Sequence, residues 1–113
     1  MATKFFTFAD RFVPVQFFDG EDAVKITMKI SDETDKRLIK AGEALNAADT
    51  LKDVDKRRTA YRKALEGFLG EEKAKEILSK ADEADCFAIY SVFKHLLNTY
   101  GAAKVKNLSG SGR

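Results

Sequence analysis

The stretch "FVPVQFFDGEDAVKITMKIS", residues 12–31, decides the fold, because one periodicity ends inside it and another begins at its last residue. In residues 23–30, Val24, Ile26, Met28 and Ile30 alternate with Lys25, Thr27 and Lys29, the period of a strand buried on one face. Residues 12–18 read as a second strand, with Val13, Val15 and Phe17 on one side and Phe12, Gln16 and Phe18 on the other. Between them "DGED" supplies Gly20 where a reversing turn needs positive φ. The expectation is a β-hairpin over residues 12–30. Pro14 cannot donate to a ladder, so its strand belongs at an edge or carries a bulge. "KFFTF", residues 4–8, offers a third short strand.

From Ser31 the spacing turns helical. Ser31 can cap an amino end, and Asp32 and Glu33 suit the positive end of a helix dipole. A first helix is expected at about 32–48, with Leu38, Ala41, Leu45 and Ala48 as its apolar stripe. Thr50 and Asp53 resemble a capping box for a second helix at about 50–69. Its stripe reads Leu51, Val54, Tyr61, Leu65 and Phe68, with Arg58 at the one missing position, and Gly70 is a natural left-handed stop. A short third helix, about 71–80, turns Ala74, Ile77 and Leu78 inward. A fourth, about 82–100, gathers Cys86, Ile89, Tyr90, Phe93, Leu96, Leu97 and Tyr100 in one stripe, with Phe87 and Val92 on opposite flanks. Residues 102–113 are small, basic and glycine–serine-rich and read as a flexible tail. The fold class is therefore α+β: a hairpin, then a bundle of about four helices, in a single domain over residues 1–101.

Composition sets limits on function. Hydrophobic residues are 44% and charged residues 34%, which fits a globular chain with a genuine core and not a disordered one. No apolar run approaches the ~20 residues that cross a bilayer, and Asp10 and Arg11 interrupt the N-terminal run before a signal-peptide core forms. One cysteine cannot close an internal disulfide, so a cytoplasmic home is expected. A net charge of +2 is too small a field to argue for nucleic acid.

No catalytic, cofactor or metal constellation emerges. His95 is the only histidine, and on a helical wheel it points away from Cys86, so the two cannot share a metal from that helix. Cys86 lies on an apolar stripe, the setting of a structural thiol. "DGED" and "DEAD" lack the ligand spacing of a calcium loop and are explained by turns and caps. "GFLG" has no Lys-Ser/Thr after it and no strand before it, so it marks a helix end. With no nucleophile–base pair to assemble, the chain reads as a non-enzyme.

Two surfaces invite a partner instead. "KRRTAYR" places Arg57, Arg58 and Arg62 near an apolar seam, either with their stems laid along it or as a basic strip for an acidic partner. Asp53, Asp55 and Glu66 argue against nucleic acid there. The N-terminus is the stronger signal, since Phe5, Phe6, Phe8, Phe12, Phe17 and Phe18 are six of the chain's nine phenylalanines. Either that segment folds back under the helices, or it offers an apolar edge to another chain; exposed patches and open strand edges favour association. Expected contact residues are Phe5, Phe6, Phe8, Phe12, Phe18, Arg57, Arg58, Arg62, Phe87 and Val92.

"YRKALEGFLGEEKAKEIL" is similar to the helix–glycine–helix of the short tail assembly chaperones of long-tailed phages and prophages. "CFAIYSVFKHLLNTYGAAKVKN" resembles their closing aromatic helix and polar tail. The resemblance implies a non-enzymatic protein of the host cytoplasm that coats a long tape measure protein and helps tail tube proteins assemble around it; the apolar N-terminal edge adds the expectation of a homo-oligomer. It implies no cofactor, no small-molecule substrate and no membrane partner. The alternatives are a virion or prophage structural component, such as a connector or tube-associated subunit, and a small regulatory nucleic-acid-binding domain.

Overall fold

Strands β1 (Phe12–Phe17) and β2 (Val24–Lys29) pair antiparallel, with Val13 opposite Met28, Val15 opposite Ile26 and Phe17 opposite Val24. The computed structural model describes residues 11–81 and 85–111, and the expected strand at residues 4–8 lies outside them. Alternation dictates the burial: Val13, Val15 and Phe17 are buried, whereas Phe12, Pro14 and Gln16 are exposed. Arg11 closes the open end of the hairpin, its guanidinium donating to the Ile30 carbonyl at 3.2 and 3.3 Å. The turn needs positive φ at Gly20, as expected, but also at Phe18, each at 64°. An aromatic residue adopts that conformation only under constraint. Gln16 Nε2 helps hold it, donating to the Phe18 carbonyl at 2.9 Å.

Helix α1 (Asp32–Asp49) begins where Ser31 Oγ accepts from the Thr34 amide at 3.2 Å, and its expected stripe of Leu38, Ala41, Leu45 and Ala48 is buried. Helix α2 (Val54–Leu69) corrects the expected capping. Asp53 itself is the N-cap, its Oδ1 accepting from the amides of Asp55 and Lys56 at 2.9 and 3.2 Å. Thr50 instead ends α1, its hydroxyl donating to the Ala47 carbonyl at 2.7 Å. Leu51 therefore stands outside α2 and Val54 is its first residue; both are exposed, and only Tyr61, Leu65 and Phe68 of the expected stripe are buried.

Gly70 ends α2 with φ 92° and ψ 153°, an extended conformation reserved for glycine and not the left-handed helical stop expected. That geometry turns the chain directly into α3 (Glu71–Ser79), where Ala74, Ile77 and Leu78 are buried as expected. Arg37 of α1 donates to the Phe68 carbonyl, satisfying one of the acceptors a helix end leaves open.

Helix α4 runs Cys86–Ser111. Asp85 precedes it, its Oδ1 accepting from the Ala88 amide at 2.8 Å, while the expected start near residue 82 falls outside the described residues. Gly101 does not stop the helix, so the expected flexible tail is helical through Ser111. The reason is tertiary. Ala102 and Ala103 are strong helix formers, Ala103 packs against the core, and Lys104 pairs with Asp35 at 3.0 Å. A second correction concerns rotation. Val92 is only 6% exposed, whereas Tyr90 and Leu97 sit at the exposed edge of the expected stripe. α4 packs against β1 as well as α2, and the second wall draws the buried arc towards Val92.

The core joins both layers: Val15 of the sheet with Leu65, Ile77, Ile89 and Leu96 of α2, α3 and α4. Gly42 brings α1 close to α4, where a Cβ would stand 3.6 Å from the Phe93 ring. Among the described residues no helix is long and apolar enough to cross a membrane, and every buried side-chain nitrogen or oxygen has a partner.

Candidate partner-binding surfaces

The hairpin turn and the first turns of α4 build one open groove of about 560 Å³. β1 supplies Phe17, and the strained turn presents Phe18. From α4 come Phe87, Ser91, Val92 and His95, joined by steps of four (Phe87 to Ser91 to His95) and three (Val92 to His95), the spacings of neighbours on a helix surface. Three expected contact residues, Phe18, Phe87 and Val92, thus converge although 69 positions separate the first from the second. Phe87 stands at the lip and is 80% exposed, whereas Val92 forms part of the wall. His95 Nε2 lies 2.8 Å from the Gln16 carbonyl oxygen, which can only accept, so that nitrogen carries the proton. The imidazole also meets the Phe17 ring edge-on at 5.0 Å between centroids. These contacts tie α4 to β1 beside the groove.

The remaining expected residues lie elsewhere. Phe12 is 38% exposed at the other end of β1, some 17 Å along the strand from Phe17 at ~3.3 Å per residue. Phe5, Phe6 and Phe8 lie outside the described residues. The three arginines do not form one strip. Arg57 Nε donates to the Leu51 carbonyl at 3.1 Å, and Arg58 pairs with Asp55 at 2.6 Å. Arg62 lines a separate recess with Glu66, Glu71 and Glu72. At ~100° per residue, Arg57 and Arg62 sit roughly 140° apart around α2. Arg58 is the half-exposed seam residue its spacing suggested, with its charge turned to an acidic neighbour.

The spacing of single elements did not disclose a second groove, of about 690 Å³, between α1 and α2. Its floor is alanine and glycine, including Ala44, Ala47, Ala64 and Gly67, and its walls carry Arg37, Lys40 and Lys63. The four alanines between positions 41 and 48 are the signal that could have revealed it, since small residues on one face leave space above them.

Cys86 is half-buried at the start of α4, its sulfur 3.9 Å from the Val54 carbonyl oxygen. No group of three or more His, Cys, Asp and Glu side chains able to hold a metal occurs among the described residues. The strongest electrostatic cluster is structural. The Tyr100 hydroxyl donates to Asp35 at 2.7 Å and accepts from the Ser31 amide at 3.2 Å, and Lys104 completes the set. Burial and then the Asp35 bond push the Tyr100 phenol up to about 12. The bonds from Tyr100 and then Lys104 hold the Asp35 carboxyl below its ordinary value. No family model, curated protein or solved structure matches the chain.

Proposed function

We propose that the protein is a non-enzymatic tail assembly chaperone of a long-tailed phage or prophage, which holds a tape measure-like client in the host cytoplasm and helps tail tube proteins assemble around it. The observation that carries this reading is the groove of Phe18, Phe87 and Val92, with one phenylalanine 80% exposed at its lip. A large aromatic side chain held out in water gains by burial against a partner, and aromatic residues, phenylalanine among them, are enriched at protein interfaces. Hairpin-then-helices order, as in the resembled chaperones, supports the same reading, as do the further exposed apolar residues Ile39, Val54 and Val105. Self-association through these surfaces accompanies client binding in this account.

Co-expression with the tape measure-like protein of the same phage or prophage tests it. The expected outcome is a soluble complex of the two and no copy of this chain in finished tails. A chain that purifies alone while the client aggregates would overturn the proposal, and its presence in finished tails would make it a structural component instead.

A further inference from the structure

We infer that the groove between α1 and α2 is a docking site for an amphipathic helix of another protein, one with small or aliphatic residues on its apolar face and carboxylates along its flanks. The inference does not rest on the tail-assembly reading, and the groove shares no lining residue with the Phe87 groove. Shape is the first ground. Arg37 to Ala48 spans about three helical turns, roughly 16 Å at 1.5 Å per residue, and the floor of alanine and glycine lets a third helix approach closely. Charge is the second. Three cations line the groove and no carboxylate does, and neither Lys40 nor Lys63 forms an ion pair among the described residues. Arg37 donates to the Phe68 carbonyl, its guanidinium 5.0 Å from the Phe68 ring centroid.

The same charge argues against a second copy of this chain as the occupant. The most apolar exposed helix it could offer is α4, whose outer side carries Phe87, Tyr90, Leu97 and Val105. That helix also carries Lys94 and Lys106, with Lys104 already paired to Asp35, and no Asp or Glu of its own, so it would set cations against cations. A foreign helix flanked by glutamate meets no such penalty.

The test uses the full chain and three synthetic helical peptides of about 18 residues, long enough to hold a helix in water. One has a leucine–alanine face with glutamate flanks, one the same face with lysine flanks, and one glutamate flanks with glutamine on the apolar face. Binding is read by fluorescence anisotropy. The glutamate-flanked apolar peptide is expected to bind at least tenfold more tightly than either control, and more weakly as salt rises. Lys40→Glu with Lys63→Glu should reverse the preference towards lysine flanks. Ala44→Phe, at an exposed position, should weaken binding at least tenfold while leaving the thermal midpoint unchanged. Equal binding of glutamate- and lysine-flanked peptides would overturn the inference, as would equal binding of the glutamine-faced peptide, which would reduce the site to charge alone. Sedimentation equilibrium guards the remaining case: a dimer that Ala44→Phe dissolves, with no peptide bound, would assign the groove to a second copy and overturn the inference as well.

Discussion

Tyr100 shows how much of this fold hangs on one hydroxyl. It joins the far half of α4 to the junction of hairpin and α1, through the Ser31 amide and the Asp35 carboxylate. Tyr100→Phe keeps the ring and removes every bond of the hydroxyl, and should cost about 1–3 kcal/mol, since hydrogen bonds to charged groups stand at the upper end of the usual range. Urea unfolding with an unchanged m-value checks this. The pH dependence follows from the same group. Its folded pKa, about 12, is raised from 10.0, so its contribution is complete below pH 10 and disappears as pH climbs through 12. Asp35 acts in the opposite direction: its folded pKa is lowered from 3.8, so its contribution is present above that value and fades as pH falls through the lowered one. Wild-type stability should decline at both extremes, and Tyr100→Phe should remove the alkaline part. None of this was legible in the sequence, because Tyr100, Ser31 and Asp35 meet only through tertiary packing. The Ser31 cap was legible, because a cap is a local bond between residues three apart.

Among the elements, α4 separates what local pattern can and cannot tell. A wheel locates an apolar stripe but not the neighbours that divide it. The wheel turns Tyr90 and Leu97 inward, but α4 packs against β1 as well as α2, and Val92 is buried while those two are exposed. Val92→Ser should therefore cost about 2 kcal/mol or more by cavity formation and a buried hydroxyl. Phe87→Ser should stay within about 0.5 kcal/mol, the range for exposed substitutions, yet weaken client binding about tenfold. Thermal unfolding and a binding titration on both variants distinguish the wall from the lip. Gly101 carries a similar lesson. It reads as a helix end, but the alanines after it and the Lys104–Asp35 pair carry the helix through. A Cβ there meets nothing within 4 Å, so Gly101→Ala should stabilise the protein by about 0.5–1 kcal/mol. Urea midpoints measure the gain. The hairpin, by contrast, was legible almost residue by residue, because a two-residue period assigns each side chain to a face without knowledge of its neighbours.

At the scale of the whole molecule, the backbone is 18 Å across its shortest dimension, room for two packed layers at an interaxial distance of ~8–10 Å and not for three. A body so thin cannot cover both sides of every helix. That is why Phe87, Ile39 and Val54 remain in water although the core itself is closed. Phe18, Phe87 and Val92 are each legible singly, since each stands outside a stripe its own element could bury, but the wheel sets Phe87 and Val92 on opposite flanks. Their meeting in one groove depended on the rotation of α4, and the α1–α2 groove depended on two helices approaching across alanines. The proposed function requires that a second polypeptide cover the groove between the hairpin turn and α4. Hydrogen exchange of the full chain, alone and with the tape measure-like client, tests it most directly. The account predicts slower amide exchange in the Phe18 turn and the first turns of α4 when the client is present, and none of that slowing with Phe87→Ser. Unchanged exchange in those segments, with the client demonstrably bound, would contradict it.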